Sequence, residues 1–247
     1  MTDRSETRVL VTGATSGIGE GIVRVLRAES LDVLAVARRA ERLETLAVET
    51  GCRTVAADVR ETQRLQDAIE QFGPDVVINN AGVGHGIMGL EQIGLDHIQE
   101  AIEVNVIAPM QITALALAGM RKRRRGHIVN IGSIAGLHTL TSAVYGGSKA
   151  AVHMFSQNLR HELRGTGIRV TEICPGRVSS EFYDSALGDQ ERLAAAKQTG
   201  IAELSPEDIG RTILFAIEAP THMNIATIEI LPTEQAVGGV ALTPTEP

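Results

Sequence analysis

Short apolar runs alternate with helix-like segments from one end of the chain to the other, and this alternation restricts the fold more than any other feature. Seven runs show little polar alternation, which is typical of strands buried on both faces of a parallel sheet. They are Val9–Val11, Val33–Ala37, Thr54–Ala57, Val76–Ile78, Ile128–Ile131, Val170–Cys174 and Ile228–Leu231. Because helix-like segments separate the runs, the order predicts right-handed βαβ units. We therefore expect an α/β fold with a doubly wound parallel sheet of about seven strands and helices on both faces.

Three of the intervening segments carry specific helix signals. Gly19–Ala28 and Thr62–Phe72 place apolar residues on one face at helical spacing. Ser205 is predicted to be an N-cap, because Pro206 follows at the first helical position and Asp208 lies three residues after the cap. These signals predict the helices that a doubly wound sheet requires.

The 247-residue chain has no internal repeat, low-complexity linker or change in composition, so we expect a single domain over residues 1–247. The segment at about 176–204 is a long excursion between the strand that ends at Cys174 and the helix capped by Ser205. Long excursions usually have a function, and this one is predicted to be a substrate lid. Only about Gln190–Lys197 within it has a helical pattern.

The overall charge excludes one class of partner. The chain has 23 Lys and Arg residues against 30 Asp and Glu residues, a net charge of −7. Nucleic-acid binding needs a positive surface, so no nucleic-acid partner is expected. The basic run Arg121–Arg125 is interpreted as the end of a helix, where cations complement the dipole. The seven histidines have no metal-ligand spacing, and no metal site is predicted.

The N-terminus and the cysteines indicate the compartment. Residues 1–8 lack the basic start and apolar run of a signal peptide. Val104–Met120 is interrupted by polar residues and by Pro109, which makes it too polar for a membrane span. Cys52 and Cys174 are predicted to be buried apolar residues rather than a disulfide framework. We expect a cytoplasmic protein with no membrane partner.

The loop after the first run is rich in glycine and leads into the first helix. Its spacing, Thr12-Gly13-x-x-x-Gly17-Ile18-Gly19, permits a tight turn and a close approach of phosphate to the helix N-terminus. An ordinary βα turn is the alternative, but the strand before and the helix after favour a dinucleotide site in a Rossmann-type fold. The predicted cofactor-binding residues of this loop are Gly13, Thr15, Ser16, Gly17, Ile18 and Gly19.

The end of the second run predicts which dinucleotide binds. An acidic residue that accepts bonds from a ribose 2′-hydroxyl is expected there, but Arg38 and Arg39 follow Ala37 instead. Two guanidinium groups suit a 2′-phosphate, so NADP(H) is the predicted cofactor, with a solvated surface pair as the alternative. Asp58, at the end of the third run, is predicted either to bind the adenine amino group or to cap the following helix.

Tyr145 and Lys149 are the predicted reacting pair. Their i, i+4 spacing places both side chains on one face of a helix, and a nearby ammonium favours a phenolate and lowers the pKa of the tyrosine. Ser133 follows a strand at the carboxyl edge of the sheet, where a hydroxyl can bond a carbonyl oxygen as charge develops on it. A surface helix pair is the alternative for the Tyr-x-x-x-Lys motif alone.

Together these motifs resemble the short-chain dehydrogenase/reductase family in order and spacing over nearly the whole chain. Further matches are Asp58-Val59, Asn79-Asn80-Ala81-Gly82, Asn105 and Pro175-Gly176. The resemblance implies a tetrad in which Tyr145 exchanges the proton, Ser133 holds the substrate oxygen, Lys149 also bonds the nicotinamide ribose, and Asn105 positions a water. It also implies cofactor contacts from Asp58, Val59, Asn80, Ala81, Gly82, Pro175, Gly176, Val178 and Ser180, where the family often has Thr at the last position.

Within the family, the chain resembles the NADP-dependent branch that acts on serine and other 3-hydroxy acids. The features are the Ala37-Arg38-Arg39 ending, the run Asn130–Ser133 and the closing segment Glu229–Gln235. Arg177 is the predicted partner of a substrate carboxylate, with a surface arginine in the lid as the alternative. His85 and His138 fall in loops near the predicted cleft and are interpreted as ordinary loop histidines. The resemblance also implies a homodimer or homotetramer built on Pro109–Met120 and Ala150–Leu163, with a monomer as the alternative.

These observations predict an NADP(H)-dependent oxidoreductase that interconverts a carbonyl and a secondary or primary alcohol, with a small 3-hydroxy acid as the candidate substrate. The alternative enzyme is a reductase of a biosynthetic keto or aldehyde intermediate. The alternative from another class is a non-catalytic NADP-binding sensor. Such proteins tend to lose the Tyr/Lys pair, and this chain retains both residues.

Overall fold

The computed structural model describes residues 4–85, 89–140, 142–183 and 199–237. One parallel sheet of seven strands runs through them in the order β3-β2-β1-β4-β5-β6-β7. Each strand contains most of one predicted apolar run, and the doubly wound Rossmann-type prediction is confirmed. The strands are β1 Arg8–Thr12, β2 Asp32–Ala37, β3 Arg53–Ala56, β4 Val76–Asn79, β5 Gly126–Ile131, β6 Ile168–Pro175 and β7 Thr227–Ile230.

The helices begin and end close to the predicted signals. The predicted helix Thr62–Phe72 is present with those bounds, and Gly73 ends it in the left-handed conformation. Ser205 and Asp208 form the predicted capping box. The helices are α1 Gly17–Ala28, α2 Ala40–Thr50, α3 Thr62–Phe72, α4 Leu95–Ile102, α5 Ala108–Arg123, α6 Ile134–Leu137, α7 Ala143–Glu162 and α8 Pro206–Glu218.

Two apolar cores cover the two faces of the sheet. One contains Ile22 of α1 and Ile213 of α8, and the other contains Leu65 of α3, Ile112 of α5 and Leu159 of α7. Helices therefore lie on both faces, as a fully buried parallel sheet requires. Both cysteines are free and buried, as predicted.

The prediction that composition alone excludes a membrane span was too strong. The continuous helical segment Leu95–Arg123 contains an 18-residue stretch with a mean hydropathy of 1.5 and is long and apolar enough to be tested as a membrane span. In the fold, however, α5 packs Ile112, Ala116 and Met120 into the second core. The same test is passed by core helices of globular proteins, and this packing has the pattern of a core helix.

The lid and the chain ends are only partly described. The predicted helix Gln190–Lys197 lies outside the described residues. The base of the excursion is closed by a parallel bridge between Val178 and Leu204, with the Ser179 N–H donating to the Leu204 carbonyl at 2.9 Å. The last described residues, 231–237, contain no helix or strand.

Candidate active site

The glycine loop lies against the carboxyl end of β4. Gly13 and Gly17 have φ values of +66° and +50°, which side chains rarely adopt, and a Cβ on Gly13 would lie 2.8 Å from the Cα of Ala81. The Asn80 side chain donates to the carbonyls of Thr12 and Gly13 at 2.9 and 3.2 Å. The two loops are thus held together beside the N-terminus of α1.

That N-terminus fits a phosphate group. Ser16 is its N-cap residue, but the Ser16 side chain makes no capping hydrogen bond. Its hydroxyl instead lies 2.7 Å from Nη2 of Arg39, which also donates to Thr15 Oγ1 at 3.2 Å. Amide groups of the first helical turn together with a guanidinium form a donor set suited to the phosphates of NADP(H).

The two predicted arginines point to different parts of the cleft. Arg39 lies over the glycine loop, whereas Nη1 of Arg38 lies 3.8 Å from Asp58 and 4.0 Å from Glu100. A third arginine, Arg42, approaches the Thr15 carbonyl at 3.4 Å. The sequence prediction missed Arg42, although its position three residues after Arg39 on a helix was a usable signal.

The Asp58 side chain accepts hydrogen bonds from Arg60 and does not cap a helix. Its Oδ1 accepts from both N and Nε of Arg60 at 2.9 Å. The side-chain bond to Arg60 is the main cause that lowers the pKa of Asp58, and burial acts against it. The N-cap of α3 is Glu61, so the prediction that Asp58 caps this helix was wrong, because Arg60 takes both of its oxygens.

Tyr145, Lys149 and Ser133 meet at the carboxyl edge of the sheet. Tyr145 and Lys149 lie one turn apart in α7, and Ser133 is the second residue after the end of β5, where its Oγ accepts from Ala135 N at 3.1 Å. Lys149 Nζ lies 5.9 Å from the centre of the Tyr145 ring and donates to the Ile131 carbonyl at 2.8 Å. The Ser133 hydroxyl faces the Tyr145 phenol and favours its ionised form.

The protonation of this pair differs from the prediction. Burial raises the pKa of Tyr145 to about 12, and the hydrogen bond from Ser133 only partly offsets that effect. Burial also lowers the pKa of Lys149 to about 8. The expected net lowering of the tyrosine pKa was therefore wrong for this structure, because desolvation of the buried phenol is the largest effect on it. The phenol is protonated at neutral pH.

Asn105 lies in a π-helical turn, Glu103–Ile107, between α4 and α5. Its Oδ1 accepts from Val83 N at 2.8 Å, and its Nδ2 donates to Val83 O and to Ser148 Oγ, both at 3.0 Å. The amide thus ties the loop after β4 to α7, next to Lys149. The water-positioning role that the resemblance implies stays a prediction.

One cleft of about 510 Å³ brings nearly all predicted site residues together. All predicted site residues are described in the structure, and of these Asn105 does not line the cleft. The lining includes Gly13, Thr15, Ser16, Gly17, Ile18, Gly19, Arg38, Arg39, Asp58, Val59, Asn80, Ala81, Gly82, Ser133, Tyr145, Lys149, Pro175, Gly176, Arg177, Val178 and Ser180. His85 and His138 lie outside this lining and bond Glu100 and Glu229, each at 2.8 Å.

The lid end of the cleft contains several contacts between residues that are far apart in sequence. Arg177 Nε donates to Glu203 at 2.8 Å, and its guanidinium lies 4.0 Å from the centre of the Tyr183 ring. The Arg177 N–H donates to Gln235 Oε1 at 2.7 Å, which brings the tail into the site. The Phe182 ring lies 5.3 Å from that of Tyr145. Gln235 ends the closing segment that supports the branch resemblance, but its contact with Arg177 spans 58 positions of sequence and was not predicted.

Comparison with known proteins agrees with this geometry. Residues 7–191 match the family model described as short chain dehydrogenase. A Salmonella typhi protein named NADP-dependent 3-hydroxy acid dehydrogenase is 37% identical over 244 residues, covering 95% of this chain and 98% of that protein. A Haemophilus influenzae protein named probable NADP-dependent dehydrogenase is 35% identical over 96% of this chain and 98% of its own length. The closed form of a serine dehydrogenase complexed with NADP+ superposes with a TM-score of 0.91 at 35% identity, over 97% of this chain and 100% of that one.

The chain therefore belongs to the short-chain dehydrogenase family. The predicted enzyme class, an NADP-dependent oxidoreductase of carbonyl and alcohol groups, is confirmed by these relatives. In the described part of the chain, no group of three or more His, Cys, Asp or Glu side chains is placed to hold a metal ion.

Proposed function

We propose that this protein interconverts a small 3-hydroxy acid and the corresponding 3-oxo acid, with Tyr145 as the proton-transferring residue. The observation that carries the proposal is that Tyr145, Ser133 and Lys149 lie together in the wall of the dinucleotide cleft. NADPH, when bound, supplies the hydride that reduces the carbonyl carbon. The glycine loop and Arg39 hold its phosphates, and Lys149 bonds the nicotinamide ribose.

The side chains then account for the proton. The pKa of Tyr145 is raised to about 12, so at neutral pH the phenol carries the proton that the substrate oxygen needs in reduction. Ser133 donates a hydrogen bond to the same oxygen as negative charge develops on it. The Lys149 ammonium lowers the cost of the phenolate that remains, and solvent returns the proton. In oxidation the steps reverse, with Tyr145 as the base.

The substrate class is supported by two observations. Relatives that cover nearly the whole chain are named for 3-hydroxy acids and for serine. Arg177 lines the cleft directly after Pro175-Gly176, where its guanidinium, although bonded through Nε to Glu203, brings positive charge to the substrate end. A 3-hydroxy acid places its carboxylate two carbons from the reacting carbon, within reach of a neighbouring cation.

We further infer a cytoplasmic homo-oligomer of single-domain subunits without membrane or nucleic-acid partners, with residues 176–204 as the substrate lid. Met110 of α5 and Met154 of α7 are exposed apolar side chains on the two helices predicted to form the subunit contact. The acidic charge of −7 disfavours nucleic acid. The Val178–Leu204 bridge supports the lid, because it fixes the two ends of the excursion beside the cleft.

A spectrophotometric screen of NADP+ reduction tests the substrate proposal. Serine and unsubstituted 3-hydroxy acids are compared with 2-hydroxy acids of equal length, with neutral alcohols, and in reverse with bulky ketones and small aldehydes. We expect the highest kcat/KM for 3-hydroxy acids. Preference for bulky ketones or aldehydes indicates the alternative, a biosynthetic reductase, and no turnover with tight NADP+ binding indicates a sensor.

A further inference from the structure

Glu181 of the lid occupies the arginines of the predicted 2′-phosphate site. Its carboxylate lies 2.9 Å from Nη1 of Arg42 and 3.6 Å from Nη1 of Arg39. The Glu181 side chain is half exposed, as are both arginines. The pairing joins residues 139 positions apart in sequence, so it fastens the first part of the lid to the start of α2.

The backbone on either side of Glu181 is held near the glycine loop. A Cβ on Gly17 would lie 2.9 Å from the Ser180 side chain, which places the lid directly over the N-terminus of α1. On the other side, the Phe182 ring contacts that of Tyr145. Glu181 therefore lies between the phosphate cradle and the reacting residues, and its carboxylate is held beside the arginines.

A bound 2′-phosphate needs the same cations. Such a phosphate monoester carries a charge of about −1.5 to −2 at neutral pH and takes charge-assisted bonds from arginine. Nε of Arg39 already donates to Thr15, and its Nη2 donates to Ser16. The donors that both the phosphate and Glu181 would use are therefore Nη1 of Arg39 and the guanidinium of Arg42. Like charges at one site repel, so the phosphate and the carboxylate exclude each other.

We propose that Glu181 is a specificity-determining residue that competes with the 2′-phosphate of the cofactor for Arg39 and Arg42. This inference rests on the proposed role of those arginines in NADP(H) binding. Binding of a 2′-phosphorylated nucleotide displaces Glu181 and frees the lid from α2. NAD(H) has no 2′-phosphate and leaves the Glu181 pairs in place. Glu181 thus weakens the binding of NADP(H) without affecting NAD(H).

Direct titration of nucleotides onto the purified full-length protein tests this competition. Adenosine 2′,5′-bisphosphate and NADP+ are compared with 5′-AMP and NAD+ in the wild type, in Glu181→Gln and in Glu49→Gln. Glu49 is the matched control, because it is a half-exposed carboxylate on α2 that pairs with Arg24 at 2.6 Å, and its loss changes the net charge equally. We expect Glu181→Gln to tighten both 2′-phosphorylated ligands about three- to tenfold and to leave 5′-AMP and NAD+ within about twofold.

Each other outcome is informative. Equal tightening in Glu49→Gln assigns the effect to overall charge, and unchanged or weaker 2′-phosphate binding in Glu181→Gln means that Glu181 does not compete; either result overturns the inference. Glu181→Asp, with a shorter side chain, is expected to fall between the wild type and Glu181→Gln. If the wild type itself does not distinguish the bisphosphate from 5′-AMP, the NADP(H) assignment of the arginines fails, and this inference fails with it.

Discussion

Nδ1 of His153 lies 2.6 Å from Oε2 of Glu172, a carboxylate that is 1% exposed in the middle of β6. Gly132 directly follows β5, the strand next to β6. A Cβ at this position would overlap Oε1 of Glu172, so the absence of a side chain makes room for the carboxylate. The pair joins α7 to the sheet one turn beyond Lys149. An isolated carboxylate in such a place is costly, so the imidazole is required for the stability of this part of the fold.

Replacement of His153 by Ala is therefore expected to lower the free energy of unfolding by about 3 kcal/mol, because it leaves a buried charge without its partner. The matched control is His161→Ala, on the same helix but exposed, for which a change below about 0.5 kcal/mol is expected. Urea unfolding measures both. Equal destabilisation by the two variants contradicts the argument.

Tyr145→Phe removes the proton donor while keeping the ring that contacts Phe182. We expect kcat to fall about 10²- to 10⁴-fold, the usual contribution of general acid catalysis, and NADPH binding to stay within a few-fold. Steady-state kinetics and a binding titration measure the two effects. A variant that retains wild-type turnover would exclude Tyr145 as the proton-transferring residue.

Arg39→Ala removes the guanidinium that lies over Thr15 and Ser16. Loss of a charged hydrogen-bonding group costs about 1.5 to 3 kcal/mol, so we expect NADP+ to bind about 10- to 100-fold more weakly and NAD+ to be little changed. Arg38→Asp is expected to shift preference toward NAD+ by a smaller factor, because the Arg38 side chain is 63% exposed. Arg64→Ala, an exposed arginine on α3, is the control. An unchanged NADP+/NAD+ affinity ratio in both cleft variants refutes the phosphate assignment.

The buried Lys149 predicts a pH dependence of stability. Burial lowers its pKa from 10.5 to about 8, so between these values the unfolded chain binds more protons than the folded one. Stability attributable to Lys149 therefore rises with pH across this window and is lowest below pH 8. For Tyr145 the pKa is raised from 10.0 to about 12, so its contribution is full below pH 10 and is lost above it.

Comparison of the wild type with Lys149→Met isolates the lysine contribution. Between pH 7 and pH 10, we expect the wild type to gain about 2 to 3 kcal/mol relative to the variant. Denaturant unfolding in the absence of nucleotide measures it. A difference that is constant with pH, or that changes in the other direction, would show that the folded lysine is not destabilised by burial.

Local sequence signals were sufficient for the strands, for the Ser205 capping box and for the i, i+4 pairing of Tyr145 with Lys149, since each depends on neighbours within a few residues. They also identified the glycine loop, Arg38, Arg39 and Ser133 as cleft residues, because the carboxyl ends of parallel strands share one edge of the sheet, whereas the other predicted cofactor contacts followed from the family resemblance.

Local sequence signals did not predict features that depend on contacts between residues far apart in the sequence. The pKa of Tyr145 depends mainly on burial, and Lys149 bonds the Ile131 carbonyl; only packing reveals either feature. The π turn at Asn105 is fixed by Val83, and the pairing of Arg42 with Glu181 crosses the cleft. Gln235 reaches the site from the far end of the chain. In each case the partner lies more than 15 positions away, where periodicity carries no information.

The contact between α1 and α8 gives a last prediction that the sequence did not reveal. A Cβ on Gly21 would overlap Pro206, and a Cβ on Gly210 would lie 2.9 Å from the Val25 side chain, so the two helices touch backbone to backbone through these glycines. Gly21→Ala is expected to lower the free energy of unfolding by about 1 to 3 kcal/mol through overpacking. The matched control is Gly147→Ala in α7, where an added Cβ meets nothing within 4 Å. That change is expected to stabilise the protein by about 0.5 to 1 kcal/mol, because alanine loses less backbone entropy than glycine in a helix. Opposite signs in thermal or urea unfolding confirm the packing argument, whereas stabilisation by both substitutions would show that the α1–α8 contact has room for a methyl group.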